Sequence, residues 1–296
     1  LILVAAGVVW AVSLWLSPGV RLGGVSGEIG LVRIEGVMVD GRSSGGLFGA
    51  SCGSETIGEQ LKAAQNDPRI RAVVLRINSP GGSAVASQEI AAGVRAVRRA
   101  GKAVVAYLGD TAASGAYWVA SQADKVVAAP ATLTGSIGVI MQVQNVRRLF
   151  DKLGIGVEVI KSGPHKDMGG GLRELTEEER RLLQGIVDDI YHQFLQAVSE
   201  GRGLPRERVA AVADGSIFTG SQALKYGLVD ELGDFELALE RARQLAGLPK
   251  GAPVRPLAKP SPWEWLRSAG GLGNRTGLGP GLWLIAPALL RAEGEG

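Results

Sequence analysis

Apolar residues come along this chain in two rhythms: compact blocks rich in Val, Ile and Leu, and longer stretches where they recur every third or fourth position. The block "IGLVRIEGVM" at 29–38 predicts a buried strand, and the Gly/Ser-rich stretch 41–53 predicts a loop. Ile57, Leu61 and Ala64 then fall at helical spacing. The alternation continues with a strand at "RAVVLRIN" (71–78), a helix carrying Ile90, Val94 and Val97, and a strand at "KAVVAYLG" (102–109). The segment "TAASGAYWVA" (111–120) opens another helix. Short strands are predicted at 125–130, 136–142 and 157–160. β-branched strands alternating with helices indicate an α/β fold with mostly parallel pairing.

The second half is more helical. Thr176 with Glu179 makes a capping box, and Leu183, Val187, Ile190, Phe194 and Val198 continue one stripe, read as core packing. Pro205 suits a helix start, and Thr219 with Gln222 caps a short helix that stops at Gly227.

The two ends break the pattern. Residues 1–16, "LILVAAGVVWAVSLWL", carry no charge and place Trp10 and Trp15 where an interface would sit, so they predict an N-terminal membrane anchor. Residues 17–28 then serve as a linker to a domain over 29–248. From residue 249 onward the composition shifts, with seven of the 13 prolines in a tail whose apolar run 281–290 is broken by Pro287.

Charge and cysteine content narrow the classes. The net charge of +3 is spread along the chain, and the one dense basic patch, "RAVRRAGK" at 95–102, ends a helix, where cations suit the dipole. It reads as a solvated helix end, and no nucleic-acid partner is expected. Cys52 is the single cysteine, so no disulfide can form within the chain. His165 and His192 lack metal-ligand spacing, and no metal or other cofactor is expected.

Three segments at strand ends could carry chemistry. In "RINSPGGS" (76–83) a strand runs into Gly81 and Gly82, leaving backbone N–H groups uncovered, as an oxyanion hole requires. Ser114 lies between Ala113 and Gly115 at a helix start, either as a nucleophile favoured by the dipole or as an ordinary N-cap. In "VEVIKSGPHKDMGG" (157–170), Lys161 and Lys166 flank a Gly/Pro turn. A lysine can act as a base only if burial lowers its pKa well below about 10.4. His165 is the rival base.

The order of these segments resembles one family. "RINSPGG", "AASGAYWVA", "TGSIGV", "KSGPHKD" and "DGSIFTGSQALKYGLVDELG" (214–233) are similar to the motifs of the signal peptide peptidase A family, membrane-bound bacterial serine proteases. The resemblance spans roughly residues 28–247. It implies a Clp protease/crotonase-like spiral of β-β-α units, with Ser114 as nucleophile and Lys166 as general base. Ser136 would orient the lysine amine, and backbone N–H groups around Gly81 and Gly115 would form the oxyanion hole. Lys161 holds the earlier, non-catalytic lysine position. The chain carries a single copy of the motifs, like the short members, which form homo-oligomers with the dyad completed between neighbouring subunits. Two departures are visible. Ala116-Tyr117-Trp118 stands where the family often has Gly-Tyr-Tyr, and "MGGG" (168–171) replaces a less flexible stretch after the base.

The implied function is degradation of cleaved signal peptides and similar apolar peptides at a membrane, by a single-pass protein with its catalytic domain outside the cytoplasm. Three other readings remain at this point: a Ser/Lys peptidase for a specific membrane protein, a crotonase-like binder of acyl-thioesters, and an inactive scaffold.

Overall fold

A computed structural model describes residues 27–46 and 49–258. The expected anchor at 1–16, most of the linker and the apolar run 281–290 lie outside the described residues. Among the described residues no helix is long and apolar enough to cross a membrane.

The centre is a sheet of parallel strands. Its order is β10 (Glu231–Leu232), β7 (Lys125–Ala128), β6 (Ala103–Ala113), β5 (Ile70–Ser79), β1 (Glu28–Glu35) and β11 (Val254–Pro256). The folded domain therefore passes the expected boundary at 248, because β11 pairs with β1. Both faces of the sheet are covered, so its strands read as nearly unbroken apolar runs. In β5, Val73 and Leu75 join Leu61 of α1 (Ser54–Asn66) and Ile90 of α2 (Ala84–Arg99) in the larger core. Ala72 and Val74 face the other way, into a smaller core with Ala238, Leu239 and Ala242 of α8 (Phe235–Ala246). The result is a mixed α/β fold dominated by parallel strands.

Strand β6 has two sets of partners. Residues Val105–Leu108 pair with β7, while Thr111–Ala113 pair with β8 (Leu133–Gly135), and the register against β5 shifts between Ile77 and Ser79. Strand β8 pairs antiparallel with β9 (Ile217–Thr219). This change of partner carries the end of β6 out of the main sheet and into the site. Beyond it come α3 (Gly115–Ala120), α4 (Arg147–Leu153), α5 (Glu177–Arg202), α6 (Arg206–Ala210) and α7 (Gly220–Tyr226).

Several expectations change. The predicted loop at 41–53 contains β3 (Ser44–Gly46) and β4 (Gly49–Gly53), which with β2 (Val37–Val39) make a second sheet. Backbone pairing holds these strands without an apolar alternation, so the pattern was silent. Cys52 lies buried on β4, and burial, with the Glu35 charge adding, pushes its thiol up to about 11. The strand predicted at 136–142 sits earlier, at 133–135, because Gly135 and Ser136 both take positive φ and end it. Residues 157–160 form no strand and leave Ile160 94% exposed. The basic helix end is not simply solvated: Arg98 Nε bonds Asp124 at 2.7 Å, and Lys102 Nζ donates to the carbonyls of Ala64 and Asp67. Both capping boxes form as predicted, at Thr176–Glu179 and Thr219–Gln222.

Candidate active site

Ser114 occupies the turn between β6 and α3 with φ 53° and ψ −126°. Such a backbone is strained for a residue with a Cβ and persists only where the surroundings impose it. Its side chain makes no capping bond, so the ordinary N-cap reading does not hold. The backbone is pinned on both sides: Ser114 N–H donates to Gly135 O at 2.9 Å, and Ser114 O accepts from Trp118 N–H at 3.0 Å. Ser136, with φ 48°, is the other non-glycine residue with positive φ among those described. Its N–H donates to Ser216 O at 2.7 Å.

Both strained serines line one cavity of about 440 Å³, together with Gly138, Val187, Tyr191 and Gly215. A second cavity of about 460 Å³ shares Ser114 and is walled by Trp118, Ile140, Met141, Val187 and Ile190. Ser114 therefore stands where a largely apolar pocket and a more polar one meet. Only the C-terminal half of the α5 stripe is core: Phe194 and Val198 are buried, whereas Val187 and Ile190 wall these cavities.

The glycines fit tightly around Ser114. A Cβ on Gly81 would come within 2.7 Å of Gly115 N and 2.9 Å of Ser114 Cβ, and φ is +94° there. A Cβ on Gly115 would meet Ser87 Oγ at 2.2 Å. Of the donors expected around Gly81, its own N–H is engaged by Ser79 Oγ at 3.1 Å. Gly82 lines the cavity with Ser114 and Gly115 instead, one residue further on. The Gly-Gly pair was legible in the sequence; how the two divide between packing against the serine and lining its cavity was not.

Lys166 is elsewhere. It is exposed, on a loop of single turns, and lines neither cavity. Lys161 Nζ bonds Asp167 Oδ1 at 2.7 Å. The rival base His165 lies 3.8 Å from both Glu178 and Glu179 and also lines neither cavity. One chain thus brings together Ser114, Ser136, Gly81 and Gly115 but not Lys166. Among the described residues no group of three or more His, Cys, Asp or Glu is placed to hold a metal ion.

Residues 96–249 match the pattern of Peptidase family S49. A putative protease of Synechocystis sp. is 46% identical over 190 residues, covering 64% of this chain and 68% of that protein. The chain belongs to peptidase family S49. This is the signal peptide peptidase A family that the motifs indicated. A putative signal peptide peptidase SppA of Enterococcus faecium is 35% identical over 213 residues, covering 72% of this chain and 62% of its own. Protease 4 of Salmonella typhi is 36% identical over 222 residues, 75% of this chain, but the chain spans only 35% of that longer protein.

In this S49 chain the helix behind Ser114 is held from a distance. Tyr117 is fully buried, donates its hydroxyl to Leu228 O at 2.7 Å, and burial raises its pKa. Trp118 stacks on Phe194 of α5 with centroids 4.7 Å apart and planes 10° from parallel. Tyr117, and Trp118 in place of the family's second tyrosine, thus fix α3 against the turn after α7 and against α5.

Proposed function

We propose that the protein is a membrane-anchored serine endopeptidase that degrades cleaved signal peptides and similar apolar peptides. The observation that carries this reading is the convergence of two strained serines, Ser114 and Ser136, on one cavity beside an uncovered Gly-Gly turn. Ser114 Oγ attacks the scissile carbonyl carbon while its proton passes to the neutral amine of Lys166. The N–H groups of Gly115 and Gly82 receive the oxyanion. The lysine ammonium then protonates the departing amine, leaving an acyl-serine, and water activated by the same lysine releases the second product. Ser136 orients the amine. No cofactor takes part.

The fold assigned by this reading is the Clp/crotonase-like spiral, supported by parallel strands of which β5, β6 and β10 run on into a turn and a helix. The apolar wall of Trp118, Ile140, Met141 and Ile190 suits apolar peptides. The exposure of Lys166, away from the serine of its own chain, supports a homo-oligomer in which a neighbouring subunit supplies it. The uncharged segment 1–16 supports a single-pass anchor with the catalytic domain outside the cytoplasm.

Hydrolysis of a fluorogenic apolar peptide tests the roles. Ser114→Ala and Lys166→Ala each cut turnover to a small residual rate, whereas His165→Ala retains it. Loss in His165→Ala with survival in Lys166→Ala moves the base and ends this reading. Mixing the inactive Ser114→Ala and Lys166→Ala proteins restores activity if the dyad forms between subunits. An inactive mixture of exchanged subunits places both residues in one chain.

A further inference from the structure

The stretch "MGGG" removes side chains from the very loop that bears Lys166, and two of its glycines, Gly169 and Gly171, have positive φ. Local backbone bonds do little to stiffen it. They are isolated turns, from Lys166 N–H to Gly163 O, Met168 N–H to His165 O and Gly170 N–H to Asp167 O. One backbone bond reaches out of the loop, from Val146 N–H to Gly171 O at 2.8 Å; the rest of its order has to come from side chains that reach a rigid element.

One side chain does so. The Arg173 guanidinium donates from Nε to Asp167 Oδ2 at 2.9 Å and from Nη2 to Asp167 Oδ1 at 2.7 Å. The same group donates from Nη1 to Glu179 Oε2 at 2.7 Å, and from Nη2 to Glu179 Oε1. Glu179 is itself fixed: it is 1% exposed and accepts from Thr176 N–H at 2.9 Å as half of the capping box that starts α5. Asp167 also accepts from Lys161 Nζ, whose remaining bond goes to Pro164 O. The loop is therefore stapled at its start by Lys161, in its middle by Asp167 and at its end by Arg173. All three are tied to the first turn of a 26-residue helix. A planar fork that grips two carboxylates bidentately is something lysine cannot reproduce.

We propose that Arg173 is a positioning residue for Lys166: by bridging Asp167 to Glu179 it fixes the glycine-rich loop to α5 and presents the lysine in one place. Among the described residues the Lys166 ammonium has neither hydrogen bond nor ion pair, while Asp167 beside it is held on both oxygens. With its two oxygens occupied, Asp167 is not free to capture the neighbouring lysine. This inference rests on the reading of Lys166 as base.

The test compares kcat and KM on the fluorogenic peptide for the full chain, Arg173→Met, Asp167→Asn, Lys166→Ala, and Lys166→Ala combined with Arg173→Met. Hydrogen exchange of residues 161–173 is followed in parallel. Arg173→Met and Asp167→Asn each lower kcat about tenfold or more with KM changed less than about threefold, because placement of the base acts on the chemical step. Exchange quickens in 161–173 and stays slow around Phe194 and Val198. In the Lys166→Ala background, Arg173→Met changes the residual rate by less than about twofold, since no base is left to place. Full kcat in both single variants overturns the proposal. So does an equal loss in the Lys166→Ala background, which marks a general structural effect. If Lys166→Ala itself keeps full rate, the base assignment fails and the proposal falls with it. The exchange data then separate that failure from a loop that Arg173 never ordered.

Discussion

A serine at φ 53° exists here because its neighbours leave no alternative. Gly81 gives up its own side chain so that its backbone can lie against Ser114, and Gly115 does the same for Ser87. Restoring one methyl group should therefore damage the site more than any change of charge near it. Gly115→Ala puts a Cβ at 2.2 Å from Ser87 Oγ. We expect it to lower kcat by about 100-fold or more, as removal of one oxyanion donor does. The double variant Gly115→Ala, Ser87→Gly relieves the collision and recovers part of the rate. A single variant with undiminished kcat would show that Gly115 N–H takes no part. That Ser114 and its glycines matter was legible in the sequence, because turn residues at a strand end leave a local signature. That Gly82 shares the cavity with Ser114, while Gly81 packs against the serine with its own N–H engaged, was not. A difference of one residue depends on φ values, which residue identity does not encode.

At the scale of elements, α3 is only six residues long and owes its position to others. Tyr117→Phe leaves Leu228 O without a partner in the core, a cost of about 1–3 kcal/mol. Phe194→Ala removes the ring stacked on Trp118 and costs about 3–5 kcal/mol. At about 2–4 °C per kcal/mol for a domain of this size, Phe194→Ala lowers Tm by roughly 6–20 °C, and Tyr117→Phe by less. Thermal unfolding followed by circular dichroism decides it, and equal, negligible shifts would mean that α3 is held by its own backbone. Most helices and the parallel strands were readable because burial imposes a period. The strands β3 and β4 and the irregular stretches 138–146 and 154–160 were not. The first are held by backbone pairing among Gly and Ser, and the second have an apolar sequence with their side chains exposed. An apolar block signals burial in something, but not burial within its own domain.

The whole domain should be sensitive to acid in a definite direction. Each carboxylate with a resolved shift, namely Asp67, Asp167, Glu179, Asp214, Asp230 and Glu231, is held below its ordinary range. For Glu179 the cause is first the Arg173 hydrogen bond and then the Thr176 N–H, which bring it to about 2. Burial opposes the shift at Asp230, yet its bond to Arg202 at 2.9 Å prevails. Groups with depressed folded-state pKa values stabilise the fold above their unfolded values and lose that contribution as pH falls through the folded ones. Tm should thus be level above about pH 5 and fall progressively toward pH 2. A Tm unchanged between those values would mean that these pairs persist in the unfolded chain. Glu179→Gln keeps an acceptor for the capping box and removes the Arg173 partner charge, so it should flatten part of that fall.

The clip between Ser136 N–H and Ser216 O also bears on the order in which the site can come into being. Ser114 leans on Gly135, Gly135 pairs with Ile217, and Tyr117 is tied to Leu228, so Ser114 depends on chain made more than 100 residues after it. During synthesis, residues 103–120 leave the ribosome with none of these supports, and a serine in an unsupported turn relaxes to an ordinary conformation. The strained geometry of Ser114 is thus among the last things the growing polypeptide acquires. A chain that stops short of residue 216 carries the serine without the strand and the clip that hold its turn.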